Sequence, residues 1–97
     1  MALTPEGKVK AKVRRILDAH GVYYFMPATG GYGRSGILDI IGCYNEHFFG
    51  IECKAGKGTT TMLQERELQK IRDAGGRAIV VNENNIEDVQ RMLQELG

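Results

Sequence analysis

Three ionisable side chains sit inside runs that otherwise read as buried strand, and they constrain this 97-residue chain more than any other feature. Asp39 lies in Ile37-Leu38-Asp39-Ile40-Ile41, and Glu52 and Lys54 lie in Phe49-Gly50-Ile51-Glu52-Cys53-Lys54. A charge in an apolar strand is unfavourable unless it is paired or put to use. Strand side chains alternate between faces, so Glu52 and Lys54 share one face with Gly50, and Phe49, Ile51 and Cys53 share the other. Between the two runs stands Asn45-Glu46, readable as a two-residue hairpin turn, although Asn-Glu is a weaker turn than Asn-Gly. Such a turn pairs Tyr44 with His47 and, counting back along both strands, sets Asp39 opposite Glu52. Directly paired positions have Cβ atoms ~4.5 to 5.5 Å apart, and like charges so placed destabilise a sheet.

A divalent cation between the two carboxylates resolves the conflict. Hard oxygen donors select Mg²⁺ or Mn²⁺, and Mg²⁺ commonly uses one or two carboxylates together with phosphate oxygens of a substrate. Lys54, on the same face, is then placed to stabilise charge on a phosphate or to help activate water. The competing reading is a partly exposed hairpin face with Glu52 and Lys54 solvated and Asp39 paired elsewhere. A register one residue off would favour it.

The rest of the chain supplies a scaffold. Thr4-Pro5-Glu6 is a helix-start signal and Gly21 a stop, which predicts a helix over 5–20. Its stripe of Val9, Val13, Ile16 and Leu17 extends back to Glu6, which is therefore expected to face inward; alternatively, Glu6 serves as an acid stabilising the helix N-terminus. Strands are expected over 22–26, 37–44 and 47–54, a helix over about 60–74 stopped by Gly75-Gly76, a strand over 77–82, and a last amphipathic helix on Ile86, Val89, Leu93 and Leu96. The order αβββαβα implies a single α/β domain over 1–97, a mixed central sheet flanked by helices.

Several motifs exclude themselves. Gly31-Tyr32-Gly33-Arg34-Ser35-Gly36 spells the dinucleotide fingerprint, but a strand-like run follows it where a helix N-terminus is needed. Gly56-Lys57 lacks the first glycine and the Ser/Thr of a phosphate-binding loop, so no nucleotide cofactor is expected. Cys43 and Cys53 lack metal or redox spacing and read as reduced core or strand residues. His20 and His47 are isolated and read as structural. No apolar run approaches the roughly 20 residues of a membrane span, and the polar N-terminus has no export signal, so a cytoplasmic, reducing location away from membranes is expected.

Gly36-Ile37-Leu38-Asp39-Ile40 followed by Ile51-Glu52-Cys53-Lys54 resembles the PD-(D/E)XK nuclease motif. The wider run from Gly33-Arg34-Ser35-Gly36 through Glu52-Cys53-Lys54-Ala55-Gly56 to Gln64-Glu65 resembles the VRR-NUC family, the virus-type replication-repair nucleases. One departure is Leu38, where that family usually carries proline. The resemblance implies a restriction-endonuclease-like fold and Mg²⁺- or Mn²⁺-dependent hydrolysis of DNA. It maps the catalytic set onto Glu6, Asp39, Glu52 and Lys54. The metal would be held by Asp39, Glu52, the Cys53 carbonyl and Glu6, the last directly or through water. Gln64, on the stripe of Leu68 and Ile71, is expected to face the sheet and hydrogen-bond Lys54 or a phosphate; otherwise it is an ordinary boundary residue.

Net charge is only +1, but residues 1–58 carry eight Lys/Arg against five Asp/Glu and residues 59–97 five against seven, so a polyanion would favour the first part. Candidate DNA contacts are Lys8, Lys12, Arg14, Arg15, Arg34 and Lys57, with Tyr32 for base stacking. The resemblance further implies a homodimer acting on branched DNA such as four-way junctions, in a bacterial or phage-infected cell. The rival reading is a non-catalytic DNA-binding or assembly module that retains the fold.

Overall fold

The computed structural model describes residues 3–28 and 35–97. Its elements are α1 (Pro5–Ala19), β1 (Tyr23–Phe25), β2 (Ile40–Tyr44), β3 (His47–Cys53), α2 (Met62–Asp73), β4 (Arg77–Val81) and α3 (Glu87–Leu96), in the order expected. The four strands form one sheet in sequence order, antiparallel from β1 to β3 and parallel between β3 and β4. No helix among the described residues is long and apolar enough to cross a membrane.

Local chemistry explains the helix ends nearest the acids. Thr4 Oγ1 accepts the Gly7 N–H at 3.0 Å, and Pro5 takes the first helical position of α1, where no N–H is needed. At the far end the helix closes on His20, whose ring Nδ1 pairs with the Ile16 carbonyl at 2.9 Å, so this histidine is structural as expected. His47 is likewise engaged locally, with Nδ1 2.7 Å from the Asn45 carbonyl.

The sheet separates two cores. Val9, Val13 and Leu17 of α1 and Val89, Met92, Leu93 and Leu96 of α3 pack with Ile40, Phe49, Ile51, Cys53 and Val81. On the other face Leu68 and Ile71 of α2 pack with Leu38 and Ala78. Leu38, at the position where proline was expected from the resemblance, is thus a core side chain under α2. Gly50 leaves room for it: a Cβ there would lie 2.7 Å from the Leu38 Cδ1. Gly36 has φ +83°, and a Cβ would fall 2.6 Å from the Leu63 carbonyl oxygen. This close approach pins the segment leading to Asp39 against the start of α2, the helix that carries Gln64.

The hairpin has the expected register. Tyr44 pairs with His47 and Ile40 with Ile51, around a turn in which Asn45 (φ 50°) and Glu46 (φ 72°) are both left-handed. That geometry matches the strand twist and normally favours glycine at the second position. Asn45 Nδ2 donates to the Leu96 carbonyl at 2.7 Å, which ties the turn to the end of α3.

The strands are each shorter than predicted, and β2 differs most. β2 begins at Ile40 rather than at 37, so Asp39 lies just before the strand. Side chains replace the main-chain ladder there: the Asp39 N–H donates to Glu52 Oε1 at 3.2 Å, and the Cys53 N–H donates to Asp39 Oδ2 at 2.8 Å.

Candidate active site

The site lies where β3 ends and where α1 and α2 begin. Glu52 is its centre and is only 2% exposed, which overturns the alternative of a solvated hairpin face. Its Oε1 accepts the Asp39 N–H, and its Oε2 accepts Gln64 Nε2 at 2.9 Å and pairs with Lys54 Nζ at 3.2 Å. The Lys54 side chain is 14% exposed, and its backbone is fixed by an N–H bond of 2.9 Å to the Val81 carbonyl of β4. Asp39, Glu52, Lys54 and Gln64 are therefore brought together from three stretches of chain: the segment before β2, the end of β3 and the start of α2.

Gln64 faces the sheet as expected, but its partner is Glu52 and not Lys54. The reason lies in the helix cap. Gln64 is the third residue of α2, and a capping box joins it to Thr61: the Gln64 N–H donates to Thr61 Oγ1 at 3.2 Å, and the Thr61 N–H donates to Gln64 Oε1 at 3.0 Å. The amide oxygen is committed to the cap, which leaves the NH₂ for the carboxylate. A glutamate would close the same box but would repel Glu52.

Glu6 is linked to the central carboxylates through a lysine. It pairs with Lys10 one turn along α1, at 3.5 Å, and Lys10 Nζ also lies 3.4 Å from Asp39 Oδ1. Among the described residues no group of three or more His, Cys, Asp or Glu side chains is clustered closely enough to share an ion. Lys10 is the site residue that sequence reasoning missed. Its signal was present: Glu6 and Lys10 have the i,i+4 spacing of a helical ion pair, and continuing by helical steps reaches Val13 and Leu17 on the buried face. Burial works to lower the Lys10 pKa, but the carboxylates of Asp39 and Glu6 outweigh it and hold the ammonium above the ordinary lysine value.

Burial and, after it, the charge of Asp39 push the Glu52 carboxyl up to about 6, against the hydrogen bond and charge of Lys54, which pull it down. A carboxyl whose folded pKa exceeds its unfolded value of about 4.5 favours the folded chain while it is protonated. That contribution is fully present below pH 4.5 and is lost as pH rises through 6. In EDTA, ionised Glu52 is thus expected to cost about 2 kcal/mol at pH 7.5. Urea unfolding checks this: the stability difference between Glu52→Gln and the parent should move toward the variant by about that amount from pH 4.5 to 7.5, and parallel curves would refute it.

The donor set fits a hard dication. Two adjacent carboxylates raise the electrostatic cost of ionising Glu52, and a doubly charged ion offsets it with oxygen ligands of the type Mg²⁺ and Mn²⁺ prefer. The Cys53 thiol is not such a donor, because burial first and then Asp39 push it up to about 12. Both cysteines are free, Cys53 in the core and Cys43 exposed on β2.

The candidate DNA contacts are scattered by comparison. Lys8, Lys12, Arg14 and Arg15 are exposed on α1, and Arg14 hydrogen-bonds Tyr24, which raises its pKa. Lys57 is exposed in the turn after β3, where the Gly56 N–H donates to Glu83 Oε1 at 2.8 Å. Tyr32 and Arg34 lie outside the described residues.

No family model matches the sequence. A solved structure described as a VRR_NUC domain superposes with a TM-score of 0.73 and 21% identity, covering 95% of this chain and 97% of that one. The fold is therefore that of a VRR_NUC domain, as the sequence resemblance implied. A curated relative, glutamate-1-semialdehyde 2,1-aminomutase of Laribacter hongkongensis (strain HLHK9), is 31% identical over 70 residues, which is 72% of this chain and 16% of that protein. This chain thus spans about a sixth of that relative's length.

Proposed function

We propose that this chain is a divalent-metal-dependent, structure-selective DNA endonuclease of the VRR-NUC type, acting as a homodimer on branched DNA such as four-way junctions in a reducing cytoplasm. The observation that carries this reading is the convergence of Asp39, Glu52 and Lys54, with Gln64 hydrogen-bonded to the same Glu52 oxygen that Lys54 pairs with. Asp39 and Glu52 would hold Mg²⁺ or Mn²⁺, with the Cys53 carbonyl as a further oxygen donor. When bound, that ion supplies Lewis-acid assistance to the phosphoryl group and to the attacking water.

The chain's own residues do the rest. Lys54 presents a nearly buried ammonium beside Glu52, where it stabilises the negative charge that builds on a phosphodiester during attack. Gln64 fixes the Glu52 carboxylate in one orientation through a bond braced by the α2 cap. Lys8, Lys12, Arg14, Arg15, Arg34 and Lys57 supply backbone contacts that position DNA without reading sequence, and Tyr32 offers a ring to an unpaired base. Two copies, each with one site, account for symmetrical cutting of two strands.

The test is incubation of the protein with labelled linear, flap and four-way DNA, with and without Mg²⁺ or Mn²⁺. Metal-dependent cutting, fastest on the four-way substrate, is the expected result. DNA binding with no cleavage of any substrate in either metal would replace this reading with a non-catalytic binding module.

A further inference from the structure

Lys10 places a cation where the acidic pair has most to gain from one. Asp39 Oδ2 is committed to the Cys53 N–H at 2.8 Å, whereas Asp39 Oδ1 faces Lys10 Nζ at 3.4 Å. Among the described residues, the less committed Asp39 oxygen is thus the one that the ammonium faces. The same ammonium is 3.5 Å from Glu6 Oε2, and the Lys10 side chain is 29% exposed, so the contact is partly shielded from water.

We propose that Lys10 is a counter-ion that competes with the divalent cation for Asp39, and that Glu6 tethers it while the site holds no metal. The inference rests on the nuclease reading of the site. Lys54 is engaged with Glu52 Oε2, so it leaves the Asp39 side of the pair to another positive charge. Lys10 supplies that charge from a helix, with Glu6 on the N-terminal side of the i,i+4 pair, the favourable orientation. An ammonium on a flexible four-carbon stem can withdraw toward Glu6 and yield to a doubly charged ion. It remains near the ion after yielding, and repulsion between the two charges then weakens metal binding by about tenfold. Lys10 is in this sense a positioning residue that sets how much metal the site demands before it fills.

Isothermal titration of the full chain with Mn²⁺, in the absence of DNA, tests this. Lys10→Met should bind Mn²⁺ about tenfold more tightly than the parent, and Lys10→Arg should behave like the parent. Glu6→Gln should weaken binding in the parent, because the ammonium then rests on Asp39 alone, and should have no effect in the Lys10→Met background. Where Met disturbs folding, as read by a melt in EDTA, Lys10→Gln takes its place. Equal or weaker binding after loss of the ammonium overturns the inference, as does a Glu6→Gln effect of equal size in both backgrounds, which would show that Glu6 does not act through Lys10. Mn²⁺ binding that is indifferent to Asp39→Asn overturns the nuclease reading itself, whereas binding that needs Asp39 but ignores Lys10 overturns this inference alone.

Discussion

Asp39→Asn is expected to leave a folded protein whose metal-dependent cleavage of DNA has fallen by about a hundredfold or more. The magnitude follows from position. Partners that merely orient a metal ligand are worth roughly ten- to a hundredfold, so loss of a ligand itself sets that as a floor. The substitution is gentle on the fold because asparagine keeps an oxygen for the Cys53 N–H, the bond that ties the segment before β2 to the end of β3. The remaining NH₂ then turns toward Lys10, with no charge to offer a cation. Single-turnover cleavage alongside a thermal melt separates the two effects. Parental cleavage by the variant would remove Asp39 from the chemistry.

Lys54→Met carries the second large effect, and it separates binding from chemistry. Cleavage should fall by about a hundred- to a thousandfold, the usual consequence of removing one group aimed at developing charge. Mn²⁺ binding should survive, because Lys54 contacts Glu52 without belonging to the carboxylate pair. A second signature accompanies the loss. Lys54 is what pulls Glu52 down against burial and the charge of Asp39, so without it the carboxyl should titrate above 6. The metal-free protein would then go on losing stability to a higher pH as the solution is made more alkaline, a shift visible in pH-resolved melts. Unchanged cleavage would reduce Lys54 to a structural partner of Glu52.

Much of this arrangement was legible in the chain. Alternation along 49–54 and a two-residue turn at Asn45-Glu46 are enough to set Asp39 against Glu52, because the side-chain period of a strand admits no intermediate register. The turn itself was the weak point, since Glu46 adopts a left-handed conformation that its residue type seldom chooses, and the bond from Asn45 to Leu96 involves a helix fifty residues away. The start of β2 was misplaced for a related reason. A hydrophobic run does not reveal that the carboxylates of Asp39 and Glu52 will each capture the other segment's N–H in place of a regular ladder. Lys10 was overlooked because lysines on a helix usually face water. Its role depends on the docking of α1 against the sheet, a tertiary fact that helix periodicity hints at through Glu6 but does not locate. Gln64 was placed on the correct face, yet its partner was decided by the cap, which consumes the amide oxygen and leaves only donors to give.

The unequal burial of the two thiols has a practical consequence. A maleimide needs an accessible sulfur with some thiolate character, and Cys53 offers neither, whereas Cys43 is open to solvent. Cys43 lies four positions along the chain from Asp39, or roughly 13 Å at the usual rise of a strand. A single dye attached there would report from beside the acids without touching them, and the native chain could be labelled at one address with no residue changed.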